Sequence, residues 1–114
     1  MISNKFTRKI RLVEAQDYKF VFSRANKISD RNFTLLARKN SLDHPRLGLA
    51  IAKKNIKKSV QRNRIKRLIR ETFRQSQNDL SQIDVVVMAS KKSFLQSNTE
   101  LLTSLNSLWQ KLFK

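Results

Sequence analysis

Between Ser59 and Arg74 the chain reads SVQRNRIKRLIRETFR, and its cations are mostly arginine: Arg62, Arg64, Arg67, Arg70 and Arg74, joined by Lys66. A guanidinium forks onto two phosphate oxygens at once, so this choice over lysine points to gripping phosphodiesters. At about 100° per residue, Ile65, Leu68, Ile69, Thr72 and Phe73 share one helix face. Asn63, Lys66, Arg67, Arg70 and Arg74 take the opposite face, and Arg62 and Arg64 flank the first turn. Lys53, Lys54, Lys57 and Lys58 lie just upstream, which puts ten of the 25 basic residues between positions 53 and 74. A merely solvated helix face interleaves acids with bases, because like charges one turn apart repel by about 0.2–0.5 kcal/mol per pair. Here Glu71 is the only acid available, so the face reads as a phosphate-binding surface.

Residues able to make or break bonds are scarce. His44 is the single histidine and precedes Pro45 in a turn. The acids Glu14, Asp17, Asp30, Asp43, Glu71, Asp79, Asp84 and Glu100 are scattered, without the close pair that a two-metal site uses. Glu14 and Asp17 come nearest, and favourable charge at a helix N-terminus explains them better. With no glycine-rich phosphate loop and no nucleophile elbow, the expectation is a binding protein without an active site or metal site of its own.

The whole composition agrees. The formal charge is +17 in 114 residues, a field that calls for a polyanion, nucleic acid before anionic membrane. An apolar fraction of 39% with nine aromatic residues indicates a folded chain, and the length suits one domain. No cysteine means no disulfide framework. No stretch of eighteen apolar residues and no apolar signal-peptide region near the start point to a soluble intracellular, cytoplasmic protein with no membrane partner.

The elements that must position the basic helix follow from periodicity. Residues 1–114 read as a single RNA-binding domain, with a basic arm at 1–12 and a globular part at 13–114. A helix is expected over 13–26, with Tyr18 and Phe22 one turn apart on one face and Phe20 pointing elsewhere. A strand follows at 32–39, with Phe33, Leu35 and Ala37 on one side and Thr34, Leu36 and Arg38 on the other. After the turn at 40–45, residues 46–53 alternate: Leu47, Leu49 and Ile51 against Gly48, Ala50 and Ala52, the small residues forming a shallow trough. The basic helix runs to about Gln75, with Ser59 or Asn55 as its N-cap. A buried strand at 82–90 and an amphipathic helix at 97–114, capped at Ser97, Asn98 or Thr99, complete the chain. The order α-β-β-α-β-α, with a further short strand near 26–31, specifies an α+β (α/β) two-layer sandwich around a small mixed sheet. A basic helix lodged between two strands, without heptads or a helix-turn-helix, favours RNA over DNA.

The run RLGLAIAKKNIKKSVQRNRIKRLIRETFR, residues 46–74, resembles the signature of the bacterial ribonuclease P protein subunit. Its hallmark is the Arg62-Asn63-Arg64 triplet, followed by Lys66, Arg67 and Arg70 and preceded by the Gly-Leu strand and a Lys-Lys pair. The likeness extends over nearly the whole chain. It implies the RNA-binding subunit of a ribonucleoprotein endoribonuclease, a hydrolase of tRNA processing whose RNA does the catalysis. The partners implied are the catalytic RNA and precursor tRNA, with no small-molecule substrate and with Mg²⁺ held mainly by RNA. Carried onto this chain, Arg62, Asn63, Arg64, Lys66, Arg67 and Arg70 would bind catalytic RNA. Tyr18, Phe22, Leu36, Ala50, Ala52 and Lys53 would line a cleft for the single-stranded 5′ leader. Leu36 stands where relatives carry an aromatic, so stacking at that position is not implied. The family's strand-helix-strand crossover is left-handed, against a general preference for right-handed connections. A ribosomal or ribosome-assembly protein, a membrane-surface basic helix and a free-standing nuclease are the competing readings. Tight binding to ribosomal RNA, bulky apolar residues on the free helix face, and cleavage by the protein alone would respectively favour them.

Overall fold

The computed structural model describes residues 11–12, 14–77, 80 and 82–112. Most of the expected basic arm, and the Val13 start of the first helix, lie outside the described residues. The elements in order are α1 (Ala15–Ser23), β1 (Asn26–Ser29), β2 (Phe33–Lys39), β3 (Arg46–Ala50), α2 (Ser59–Ser76), β4 (Ile83–Ala89), a 3₁₀ turn at Ser93–Leu95, and α3 (Asn98–Leu112). The strands form one mixed sheet in the order β1-β2-β4-β3. Only β3 and β4 run parallel, with α2 as the connection between them. The short strand near 26–31 is therefore real, and the first helix stops at Ser23 to make room for it.

Strand parity sorts the side chains onto two faces. Phe33, Leu35, Ala37, Leu47, Val85 and Val87 point one way and meet Ile65, Ile69 and Phe73 of α2 and Leu101, Leu105, Leu108 and Trp109 of α3. Sheet and helix pair form the two-layer sandwich. On the opposite face α1 lies across a smaller cluster, in which Leu12, Val21 and Val86 are buried and Tyr18, Leu36 and Ala50 pack against them. β4 is apolar throughout its buried centre because it serves both faces.

Polar bonds lock the layers in register. The Trp109 indole Nε1 donates to Thr72 Oγ1 at 2.9 Å, and its ring meets Phe73 edge-on at 5.8 Å, which ties α3 to α2. Ser97 and Glu100 form a reciprocal capping box at the start of α3: the Glu100 backbone N–H donates to Ser97 Oγ, and the Ser97 backbone N–H donates to the Glu100 carboxylate. α2 begins differently from expectation. Ser59 is its first helical residue, and Lys58 is the N-cap, without a side-chain bond. Asn55 does not cap it either; its Nδ2 donates to the Ala89 carbonyl at 3.3 Å.

At the far end of the sheet Arg46 grips buried Asp84 bidentately, Nε to Oδ1 at 2.9 Å and Nη2 to Oδ2 at 2.7 Å. Asn40 Nδ2 also donates to Asp84, and Arg46 reaches Asp17 of α1 at 3.6 Å. Asp17 thus anchors α1 to the sheet as well as complementing the helix dipole.

Asp30 closes the β1–β2 turn, its Oδ1 accepting from the backbone N–H groups of Asn32 and Phe33 at 2.8 and 2.9 Å. Burial pushes its carboxyl up, but the Ser104 hydroxyl and those two N–H groups outweigh this and hold it below the ordinary value. A depressed folded-state value means stability that is present above the unfolded pKa of about 3.9 and lost as pH falls through the folded one. Unfolding by denaturant between pH 5 and pH 2.5 should show that loss, and Asp30→Asn should remove part of it while lowering stability at pH 7.

Candidate nucleic-acid interface

α2 keeps its apolar stripe inward: Ile65, Ile69, Thr72 and Phe73 are buried and Leu68 half-buried. The rotation that buries them leaves Asn63, Arg67 and Arg70 exposed and Lys66 half-buried on the outer side. Lys53, Lys54, Lys57 and Lys58 are exposed on the loop before the helix. Arg74 departs from this set, because Glu71, one turn back, binds its guanidinium. That hydrogen bond holds the Glu71 carboxyl below its ordinary value.

The two arginines of the Arg-Asn-Arg triplet turn back onto the protein. Arg62 Nη1 donates to the carbonyls of Ile56 and Lys57 at 2.9 and 2.7 Å. Arg64 spreads its guanidinium wider: Nε to Gln61 Oε1 at 3.0 Å, Nη1 to Asn98 Oδ1 at 2.6 Å, and Nη2 to the Phe94 carbonyl at 3.0 Å. Arg64 thereby clamps α2 to the 3₁₀ turn and to the start of α3. Helical periodicity places both residues beside the core face but gives no sign of the carbonyl partners that Arg64 finds thirty or more positions away.

The cleft residues come together on the α1 side of the sheet. Tyr18 lies over Gly48 so closely that a Cβ built there would sit 2.7 Å from Tyr18 Cε1. The Tyr18 hydroxyl donates to the Leu12 carbonyl at 3.2 Å and accepts from the Leu49 backbone N–H at 3.3 Å. Tyr18 is therefore a half-buried part of the fold, and its ring fills one end of the small-residue trough. Phe22, one turn on, is 48% exposed, with its ring centroid 6.5 Å from that of Tyr18. Leu36 and Ala50 are half-buried around the same cluster, Ala52 is half-buried beyond the strand end, and Lys53 is exposed beside it.

Two features of this face escaped the sequence reading. Ladder register sets Thr34 opposite Met88 and Ala50 opposite Met88, a half-buried row next to the one that α1 covers. Met88 was hidden inside an apparently uniform buried strand; its parity with Val86 was the available signal. Arg38 stacks on Phe20, its Cζ 3.5 Å from the ring centroid, and its Nη1 donates to the Phe20 carbonyl at 2.7 Å. Eighteen residues separate the two, and no local pattern announces the pair.

The helix face approaches the cleft at its Tyr18 end. A cavity of about 220 Å³ is lined by Lys66 and Arg70 of α2, by Tyr18 of α1 and by Arg11, which pairs with Leu47 along the β3 edge. Among the described residues no group of three or more His, Cys, Asp or Glu is placed to hold a metal ion. The donor set facing outward is cationic and suits phosphate oxygens, not Mg²⁺.

Comparison with known proteins decides the family. The Ribonuclease P family model matches residues 6–113. The chain belongs to the ribonuclease P protein family. It is 49% identical over 107 residues to the ribonuclease P protein component of Aliivibrio fischeri, covering 94% of this chain and 92% of that one. The Pseudomonas aeruginosa protein component is 48% identical over 115 residues, covering 100% and 85%. Among solved structures, a Staphylococcus aureus RNase P protein aligns with a TM-score of 0.85 at 27% identity, over 92% of this chain and 98% of that one. A Thermotoga maritima RNase P protein aligns at 0.79 and 28%, over 89% and 96%. The three helices and four-stranded mixed sheet are thus the family's α+β fold. Among the described residues no helix is long and apolar enough to cross a membrane.

The fit of Tyr18 over Gly48 carries a prediction for this family member. Gly48→Ala forces the ring out of a position fixed by two hydrogen bonds, at a cost of about 1–3 kcal/mol. Denaturant melts should show that loss. Tyr18→Phe, which removes only the hydroxyl bonds, should lose less.

Proposed function

We propose that the chain is the protein subunit of a cytoplasmic ribonucleoprotein ribonuclease P that removes the 5′ leader of precursor tRNA. In this reading the outer face of α2, led by Asn63, Lys66, Arg67 and Arg70, grips the catalytic RNA. Arg62 and Arg64 contribute mainly by holding the flanking segments in place, with their remaining N–H groups available to RNA. The cleft between α1 and the sheet, with Phe22, Ala50, Ala52, Lys53 and the row through Met88, takes the single-stranded leader. The observation that carries the reading is the cavity shared by Lys66, Arg70 and Tyr18, because it brings the basic helix face up to the Tyr18 end of the cleft.

The protein's part is electrostatic and positional. Catalytic RNA and substrate repel one another, and a body of formal charge +17 between them offsets that repulsion. The Mg²⁺ of the reaction would be held mainly by RNA, since the outward donor set here is basic. Exposed Phe22 offers a ring to an unstacked leader base, a contact of about 1–3 kcal/mol.

Reconstitution tests this. The protein, a bacterial catalytic RNA transcript and 5′-labelled precursor tRNA are combined at Mg²⁺ too low for the RNA alone. Leader release should need both components. Affinity should rise with leader length, and Phe22→Ala should weaken long-leader substrates about fivefold or more while sparing leaderless tRNA. Cleavage by protein alone would contradict the reading. Absence of cleavage with tight binding to ribosomal RNA would favour the ribosome-assembly alternative.

A further inference from the structure

A second cavity, of about 500 Å³, opens beside the first turn of α2, between the loop at 54–58 and the turn that follows β4. Its size falls within the range of small-ligand pockets, about 300–1,000 Å³. The floor is apolar: Ile56 is buried, and Phe94 is half-buried and packed on the core. The rim is cationic, with Lys54, Lys57, Lys58 and Lys91 all exposed and no acid in the lining. Ile56 and Phe94 belong to the core between the sheet and the α2–α3 layer, so this cavity is separate from the cleft under α1.

The walls are held in place by the triplet arginines. Arg62 binds the carbonyls of Ile56 and Lys57, and Arg64 binds the carbonyl of Phe94. Asn55 ties the same loop to the end of β4. An aromatic floor inside a ring of lysines has the chemistry of a nucleotide: a flat apolar base that gains from leaving water, joined to phosphates that need cations. A simple anion site would have no use for Ile56 and Phe94. A purely apolar ligand would have no use for four lysines.

We propose that this cavity receives one unstacked nucleotide of the catalytic RNA, its base against Phe94 and its flanking phosphates among Lys54, Lys57, Lys58 and Lys91. The proposal rests on the reading of the chain as an RNA-binding subunit and specifies one contact of that grip. It also gives the inward-turned Arg62 and Arg64 a role: they preform the pocket.

The test needs no catalytic RNA. The full chain, labelled for NMR at isoleucine methyls and phenylalanine rings, is titrated at fixed ionic strength with adenosine 5′-monophosphate, ribose 5-phosphate and inorganic phosphate. The nucleotide should shift Ile56 and Phe94 saturably, and the two phosphates without a base should not. Phe94→Leu, which keeps the apolar volume but removes the ring, should weaken the nucleotide at least about fivefold. Lys57→Gln with Lys58→Gln should weaken it and flatten its salt dependence. Equal shifts with inorganic phosphate, nucleotide shifts at Tyr18 and Phe22 alone, or unchanged affinity in Phe94→Leu would each overturn the proposal. Shifts that follow protein concentration without ligand would assign the cavity to a second copy. A chain that fails here yet supports leader release loses only the pocket. One that binds nucleotide yet fails reconstitution loses the ribonuclease reading.

Discussion

The excess of cations over acids is the constraint on which the rest of this structure depends. With 25 Lys and Arg against eight Asp and Glu, the fold cannot neutralise its charge by ion pairs. The few carboxylates go where burial or geometry demands them. Asp84 neutralises Arg46 under the sheet end, Asp17 helps seat α1 on the same arginine, and Asp30 closes a turn. Arg62, Arg64 and Arg38 instead donate to backbone carbonyls, which cancels no charge but fixes three segments to one another. The exposed cations of α2 and the loop before it form a field left to salt or an external polyanion to screen.

The same economy shapes the sheet. Strands β2, β3 and β4 must serve a large apolar core on the α2–α3 side and a thinner one under α1, and the residues differ accordingly. The α2–α3 face carries Phe33, Leu35, Val85 and Val87, while the α1 face carries Gly48, Ala50, Leu36 and Val86. Small residues on β3 let the Tyr18 ring descend onto the backbone, so the trough is already partly filled from within. What is left open is a narrower surface bordered by exposed Phe22 and floored by the row through Met88.

Much of this was legible in the sequence. The period of 3.6 in α2 identified its buried residues, and the alternation in Leu47–Ala52 identified the trough. The run of valines identified the strand that serves both faces. Resemblance to a known family singled out Arg62-Asn63-Arg64 and pointed to the family to which the chain belongs. Long-range polar bonds were not legible. Arg64 finds Asn98 and Phe94, Arg46 finds Asp84, and Arg38 finds Phe20, at separations that no helical or strand period encodes. For that reason the sequence places Arg62 and Arg64 at the flank of the first turn but does not show that they turn back onto the fold while Asn63, Lys66, Arg67 and Arg70 stay on the outer side. The N-cap of α2 was misplaced for a related reason. Ser59 already lies inside the helix as its first residue, and Asn55 bonds a strand end that only tertiary structure brings near.

That division of the motif is the central claim, and comparing Arg64→Gln with Arg67→Gln tests it most directly. Each variant is melted in high salt and its affinity for catalytic RNA is measured across a range of salt concentrations. Arg67→Gln should leave the melting temperature unchanged and reduce the salt slope of RNA binding by about one unit. Arg64→Gln should lower the melting temperature by several degrees, as loss of charge-assisted bonds does, with a smaller change in slope. The reverse pattern, or two variants that behave alike, would contradict the account.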